Sequence, residues 1–161
     1  MPGFEEGEES PFYSYGPGAY SEVAEDYAHS GDYGMLIYER AGQYSTYAQD
    51  ISDMLTAYGP GEYQASVWMK LADDSKSAGN AYLVLNVKPN GGTQKYYTSG
   101  QKPLTKEWQQ FTFRGTIDFD ASKGFEVALI YQQSVEMPDV IVDDFDSENG
   151  IWICRSVYDA P

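Results

Sequence analysis

The feature that most constrains the fold of this chain is an alternation of apolar and polar residues, which is clearest between Pro60 and Lys70. A turn signal, Gly59-Pro-Gly, leads directly into this stretch. Successive side chains of a β-strand point to opposite faces, so a period of two predicts a strand with one buried face. The residues on its apolar face are Tyr63, Ala65, Val67 and Met69.

Short segments of this kind recur along the chain at spacings of roughly 8–12 residues, with turn residues between them. The predicted strands cover residues 21–27, 35–39, 44–51, 62–71, 81–88, 94–99, 108–117, 125–133, 140–145 and 151–157. Asn90-Gly-Gly predicts a hairpin, and residues 52–58 are a short helix-like piece. This pattern predicts an all-β fold, in which two antiparallel sheets stack as a β-sandwich of the jelly-roll type.

Composition narrows the classes of partner. A chain of 161 residues fits one domain, and its formal net charge of -15 disfavours nucleic acid and anionic membranes as partners. No apolar run approaches the length of about 18 residues that a membrane helix needs. Tyrosine is abundant, with 15 residues against 7 Phe, which favours surfaces where a ring is exposed and its hydroxyl forms hydrogen bonds. A monomer is the default expectation.

Catalytic motifs are weak. The single histidine, His29, lies in a Ser-Gly turn, and the single cysteine, Cys154, excludes an internal disulfide. A triad or zinc site would have to be built on that one imidazole. Paired carboxylates are abundant, so a small hydrolase that uses them stays open as an alternative.

Five segments in order carry a family resemblance: Gly3-Phe-Glu-Glu-Gly, His29-Ser-Gly, the strand after Pro60, Lys106-Glu-Trp, and Val140-Ile-Val-Asp-Asp-Phe. Together they resemble the β-sandwich carbohydrate-binding modules of families 4, 9, 16 and 22, over roughly residues 3–146, and they match xylan-binding family 22 best. The resemblance implies a module at 1–150, with 151–161 as a last strand or a linker. It also implies that Trp68 and Trp108 pack as framework residues.

The resemblance also implies sugar-binding residues. Family 22 has an Arg-x-x-x-Trp segment whose Trp stacks on sugar, and Arg40-Ala-Gly-Gln-Tyr44 is similar to it, with Tyr44 in place of the Trp. The family has a Tyr in a middle strand, for which Tyr96 and Tyr97 are the candidates. Because adjacent strand residues face opposite ways, at most one of these two is expected to contact sugar.

Three further candidates come from the same comparison. A Tyr-x-Glu pair of the family is similar to Tyr131-Gln-Gln133, so Gln133 replaces the Glu and shares a face with Tyr131. An early-strand Arg of the family is missing here, and Tyr15 stands at about that point. Tyrosine and glutamine still offer a ring for stacking and an amide for hydrogen bonding.

A structural calcium ion is the one cofactor that the resemblance implies. Glu5 and Asp143 would be its side-chain ligands and Ser30 would contribute a backbone carbonyl, with Glu6 and Asp144 as second choices. Ca²⁺ prefers such a mixture of carboxylate and carbonyl oxygens. The alternative is that Asp143 and Asp144 end a strand as solvated charges.

The resulting hypothesis is a non-catalytic, secreted module, such as those of cellulosomes, that binds plant cell-wall β-glycans in a groove of one sheet. Xylan, mixed-linkage β-1,3-1,4-glucan, or both would be the ligand. The module would hold an attached glycoside hydrolase, such as a xylanase, near its substrate. The alternative is a structural module that stabilises a neighbouring catalytic domain without binding sugar.

Overall fold

A computed structural model describes residues 13–16, 18–42, 45–73, 75–76 and 79–143, together with the backbone of residues 153–155. In this part of the chain one α-helix, α1 (Ser52–Tyr58), and two 3-10 turns, Glu25–Tyr27 and Ala121–Lys123, accompany the strands. The strands are β1 (Tyr13–Tyr15), β2 (Tyr20–Ala24), β3 (Gly34–Tyr38), β4 (Thr46–Asp50), β5 (Gly61–Leu71), β6 (Asn80–Pro89), β7 (Lys95–Thr98), β8 (Lys102–Pro103), β9 (Gln109–Ile117), β10 (Phe125–Ser134), β11 (Val140–Asp143) and β12 (Ile153–Arg155).

The strands form two antiparallel sheets. In the first sheet the order is β1-β4-β10-β6-β7, and β8 also pairs with β6. In the second sheet β5 pairs with β9 and also with β11 and β12, and β11 continues through β3 to β2. The predicted all-β sandwich of two antiparallel sheets is therefore confirmed.

The core lies between the sheets and is built from one face of each strand. The apolar face predicted for β5 is fully buried there, as are Leu83 and Leu85 of β6. Phe111 and Phe113 of β9 point into the same core, as their alternation predicts. Burial of these side chains is the main favourable contribution to folding.

Most strands agree with the sequence prediction within a few residues. The strand predicted over residues 21–27 ends at Ala24, and the following 3-10 turn packs on the outer side of β3 and β11. The predicted hairpin joins β6 to β7, with Gly91 at a φ of +71° that favours glycine. The helix-like piece is α1, which buries Leu55 and ends at Gly59.

At the other end of the chain, residues 153–155 pair with β5 as a strand. The domain boundary near residue 150 and the role of residues 151–161 stay predictions. Among the described residues, the helices are all too short to cross a membrane.

Candidate functional site

The face of the first sheet that points away from the core carries the candidate site. In β10, Ala128 and Ile130 belong to the core, so Tyr131 and Gln133 lie on the outer face. The register places Tyr131 opposite Val84 and Gln133 opposite Tyr82. In the same sheet, β7 pairs with the other edge of β6. Residues from three strands, β10, β6 and β7, therefore meet on one surface.

A groove of about 540 Å³ lies on this outer face. Its lining residues are Tyr15, Gly16, Tyr82, Val84, Tyr96, Thr98, Tyr131 and Gln133. They come from or adjoin β1, β10, β6 and β7, so the groove runs across the strands and not along them. From β1 to β7 there are four strand intervals, or about 19 Å at the usual strand spacing. That span suits an oligosaccharide-sized ligand better than a single sugar.

Tyr131 forms the floor of the groove. Its ring lies 5.0 Å from that of Tyr15, between centroids, at an angle of 31°, and only 3% of the residue is exposed. Burial raises the pKa of the Tyr131 phenol, nearby Tyr15 adds to the rise, and a hydrogen bond with the Asn86 side chain opposes it. Tyr131 therefore stays neutral, and Tyr15 covers its ring.

Tyr96 and Tyr97 lie on opposite faces of β7. Tyr96 lines the groove and is 61% exposed, which makes it the most open ring there for a ligand to stack on. Tyr97 packs against the core, with its ring 6.1 Å from that of Phe113 in an edge-on arrangement. Of the two candidates, the structure places Tyr96 in the groove and Tyr97 on the other side of the sheet, because neighbouring strand residues alternate.

Tyr44 lies outside the described residues, whereas Arg40 and Ser45, on either side of it in sequence, are described. Arg40, which begins the same motif, is only 8% exposed. Its Nε donates to the carbonyl of Ser45 at 2.6 Å, and one terminal nitrogen donates to the Oγ of Ser134 at 2.5 Å. Burial lowers the Arg40 pKa to about 10, although nearby Asp139 opposes this. Arg40 thus ties the start of β4 to the end of β10, next to Gln133.

Sequence reasoning missed Tyr82, Val84, Thr98 and Asn86. In β6, residues 81, 83, 85 and 87 point into the core, so Tyr82, Val84 and Asn86 share the opposite face. This alternation was visible in the sequence and could have indicated an outward face. Their meeting with Tyr131 and Tyr96 depends on strand register, which the alternation leaves open.

The residues predicted to bind calcium are described only in part. The backbone N–H groups of His29 and Ser30 donate to Oδ2 of Asp143, at 2.9 and 3.3 Å, and Asp143 is fully buried. The turn that contains Ser30 therefore lies against Asp143, whereas the roles of both residues in binding calcium stay predictions. The remaining candidates, Glu5, Glu6 and Asp144, lie outside the described residues. Within those residues, no group of three or more acidic, His or Cys side chains is placed to hold a metal ion.

Trp68 and Trp108 lie on the outer side of the second sheet, around His29. The Trp68 ring stacks on the His29 ring at 4.2 Å, and Trp108 meets it edge-on at 5.0 Å. The ammonium group of Lys70 lies over Trp108, 5.0 Å from its centroid. These contacts fit the predicted packing role, since both rings hold the turn that bonds to Asp143.

The sequence from residue 2 to residue 136 matches the family model of the carbohydrate binding domain. The chain belongs to this family. The family-level resemblance inferred from the sequence is thereby confirmed for this carbohydrate-binding domain. No match was found among proteins of curated function.

Solved structures show the same fold. The domain is 14% identical to the CBM22-1 xylan-binding domain of Paenibacillus barcinonensis Xyn10C, with a TM-score of 0.76, and the match covers 97% of this chain and 94% of that one. The domain is also 15% identical to the CBM22-2 xylan-binding domain of the same protein, with a TM-score of 0.77. This match covers 96% of this chain and 98% of that one.

A third similar structure holds two joined modules. It contains the CBM22-1 and GH10 modules of Clostridium thermocellum xylanase Xyn10B, complexed with xylohexaose. The carbohydrate-binding domain is 18% identical to it, with a TM-score of 0.70, over 93% of this chain and 27% of that one. The domain therefore corresponds in length to about a quarter of that structure.

Proposed function

We propose that this carbohydrate-binding domain binds xylan, mixed-linkage β-1,3-1,4-glucan, or both, in the groove across its first sheet. The observation that carries the proposal is that Tyr15, Tyr96, Tyr131 and Gln133 line one groove although they come from three separate segments of the chain. Each was identified from the sequence as a sugar-binding candidate. The xylan-binding domains of similar fold support the choice of ligand class.

The groove offers both kinds of contact that a sugar chain needs. Tyr96 presents an exposed ring on which an apolar sugar face stacks, and Tyr15 presents a second, half-buried ring. Thr98 and Gln133 supply a hydroxyl and an amide that hydrogen-bond to sugar hydroxyls. We expect modest affinity, because an open groove removes only part of the sugar from water.

The biological role that we propose is tethering. A domain that holds a polymer beside an attached glycoside hydrolase raises the effective substrate concentration without any chemistry of its own. The structure in which a CBM22-1 module is joined to a GH10 module supports this arrangement. We further propose that the domain works outside the cell, where plant cell-wall polymers are found.

A structural calcium ion is part of the proposal. The carboxylate of Asp143 fits the role, because Ca²⁺ prefers carboxylate oxygens and this one lies against the turn that contains Ser30. Glu5, Glu6 and Asp144 are the further carboxylates proposed for it, and Ser30 would add its carbonyl. An ion bound there would stabilise the protein, because it binds the folded state and not the unfolded state.

One observation favours the alternative of a purely structural module. Tyr131, a ring that the resemblance assigns to sugar binding, is buried beneath Tyr15 and offers almost no open face. On the tethering proposal, Tyr131 supports Tyr15 and the stacking falls to the exposed rings. On the alternative, the tyrosines only pack on the outer face of the sheet and bind no sugar.

Native affinity electrophoresis tests the proposal. Gels cast with xylan, barley-type β-glucan, hydroxyethylcellulose or mannan would each be run with the wild type and with Tyr96→Ala. Tyr20→Ala is the matched control, because Tyr20 is 59% exposed but lies on the second sheet. We expect xylan or mixed-linkage glucan to retard the wild type and the control more strongly than Tyr96→Ala. Free migration of the wild type in every gel would favour the structural module.

A further inference from the structure

We infer that the groove selects uncharged glycan chains and discriminates against chains whose substituents carry uronic acid carboxylates. This inference rests on the proposed function, since it concerns which glycans the same groove admits. It follows from the distribution of charge on the outer face of the first sheet.

The part of the groove lining that the structure describes is electrically neutral. Its residues are four tyrosines, Gly16, Val84, Thr98 and Gln133, none of which carries a charge at neutral pH. The raised pKa of Tyr131 keeps the floor neutral at higher pH as well. A carboxylate that entered the groove would lose water without gaining an ionic partner from the lining, which is unfavourable.

Charged residues on the same face, among those described, do not supply a free cation. Lys88 forms an ion pair with Glu126, beyond the groove lining. Asp50 lies on β4 opposite Leu129 and adds a negative charge there. Lys95, on β7, pairs with Val87 on the core-facing side and lines a separate cavity with Tyr97 and Asp118.

Arg40 is the cation nearest in sequence to β4, but its guanidinium already forms hydrogen bonds within the protein. It is 8% exposed and donates to Ser45, Ser134 and the carbonyl of Pro138. Because Arg40 is buried, a ligand carboxylate could reach its guanidinium only by displacing groups of the protein, and each acceptor left without its donor would be costly.

The chain as a whole reinforces this selectivity. Its formal net charge of -15 repels anionic polymers within a Debye length, which is about 8 Å at physiological ionic strength. A neutral polysaccharide does not experience this repulsion. Local neutrality and overall negative charge therefore act in the same direction against acidic substituents.

The test is isothermal titration with one pair of xylo-oligosaccharides of equal size. One carries a single glucuronosyl side group, and the other is the same compound after reduction of that carboxyl to an alcohol. We expect the reduced, neutral compound to bind roughly two- to fivefold more tightly in low salt, the range of one exposed charge interaction. The difference should shrink in 0.5 M NaCl, at a Debye length of about 4 Å.

Two variants make the test specific for the groove. Thr98→Lys places a cation in the lining, whereas Thr112→Lys makes the same change of net charge at an exposed position of the second sheet. We expect Thr98→Lys to shift the ratio of the two affinities, acidic over reduced, roughly two- to fivefold toward the acidic compound, and Thr112→Lys to leave this ratio near the wild-type value. The ratio is the readout because loss of the Thr98 hydroxyl affects both compounds alike.

The outcomes separate the two proposals. If the acidic and reduced compounds bind the wild type equally, or the acidic one binds better, the selectivity is refuted while the proposed function stands. Equal effects of the two lysine variants would also refute a groove-based selectivity. If neither compound nor unsubstituted xylo-oligosaccharide nor mixed-linkage glucan binds, the proposed function fails and this inference fails with it.

Discussion

Tyr96 and Tyr97 are adjacent in sequence, and the structure gives them opposite roles that two alanine variants can separate. Tyr96 projects into the groove and is 61% exposed, whereas Tyr97 is half-buried and packs against Phe113. We expect Tyr96→Ala to weaken binding and keep its stability. We expect Tyr97→Ala to lose stability and keep its binding.

The expected magnitudes follow from burial. Truncating a fully buried aromatic residue costs about 3–5 kcal/mol, so a half-buried ring on an edge strand should cost about 2 kcal/mol. In a domain of this size that lowers Tm by about 4–8 °C. Replacing the exposed Tyr96 should change stability by about 0.5 kcal/mol or less. Loss of stacking between the Tyr96 ring and the ligand should cost about 1 kcal/mol of binding free energy, which weakens Kd by roughly fivefold.

Differential scanning calorimetry and isothermal titration with xylohexaose would measure both quantities on the same samples. The ligand is titrated well below the Tm of each variant, so that partial unfolding does not mimic lost binding. If Tyr97→Ala weakened binding at unchanged Tm while Tyr96→Ala did not, the assignment of the two faces would be wrong. Unchanged binding in both variants would mean that stacking on β7 does not contribute to affinity.

Three further predictions concern the core, the ion and the groove floor. Leu83→Ala should lower the free energy of unfolding by about 2–5 kcal/mol in urea titrations, because Leu83 is fully buried; a loss below 1 kcal/mol would contradict the assigned core. A chelator should lower the Tm of the wild type but not of Asp143→Asn, and an equal response of both would argue against calcium there. The raised pKa of Tyr131 means that the unfolded state ionises first as pH rises above about 10. Urea titrations between pH 9 and 11 should therefore show a steeper loss of stability in the wild type than in Tyr131→Phe. An equal dependence on pH in both proteins would refute the raised pKa of Tyr131.

Much of the fold follows from the sequence because strand alternation is a local property. The face of β5 that carries Tyr63 and Met69 could be assigned from apolar spacing alone, and both residues are fully buried. The hairpin at Asn90-Gly-Gly followed from the conformational preference of glycine, as the positive φ of Gly91 shows. The family could be recognised from the order of five short segments, since comparing each segment with the family requires no knowledge of which strands pair.

The groove depended on information that no local pattern carries. Alternation assigns Tyr131 to one of two faces, but it does not say which strands lie beside β10 or at what register. Only the paired sheet brings Tyr82 next to Gln133 and sets Tyr96 beside Asn86. The sequence candidates Tyr15 and Tyr131 differ in exposure because one ring lies over the other, 5.0 Å apart.

The sequence by itself therefore determined which side chains share a face, and with it the sandwich, the core and the family. The tertiary structure decided which strands are neighbours, which of Tyr96 and Tyr97 reaches the groove, and that Tyr131 is its buried floor. The physical reason is that side-chain direction follows from each residue's place along its own strand. Proximity follows from hydrogen bonds between strands that are far apart in the chain.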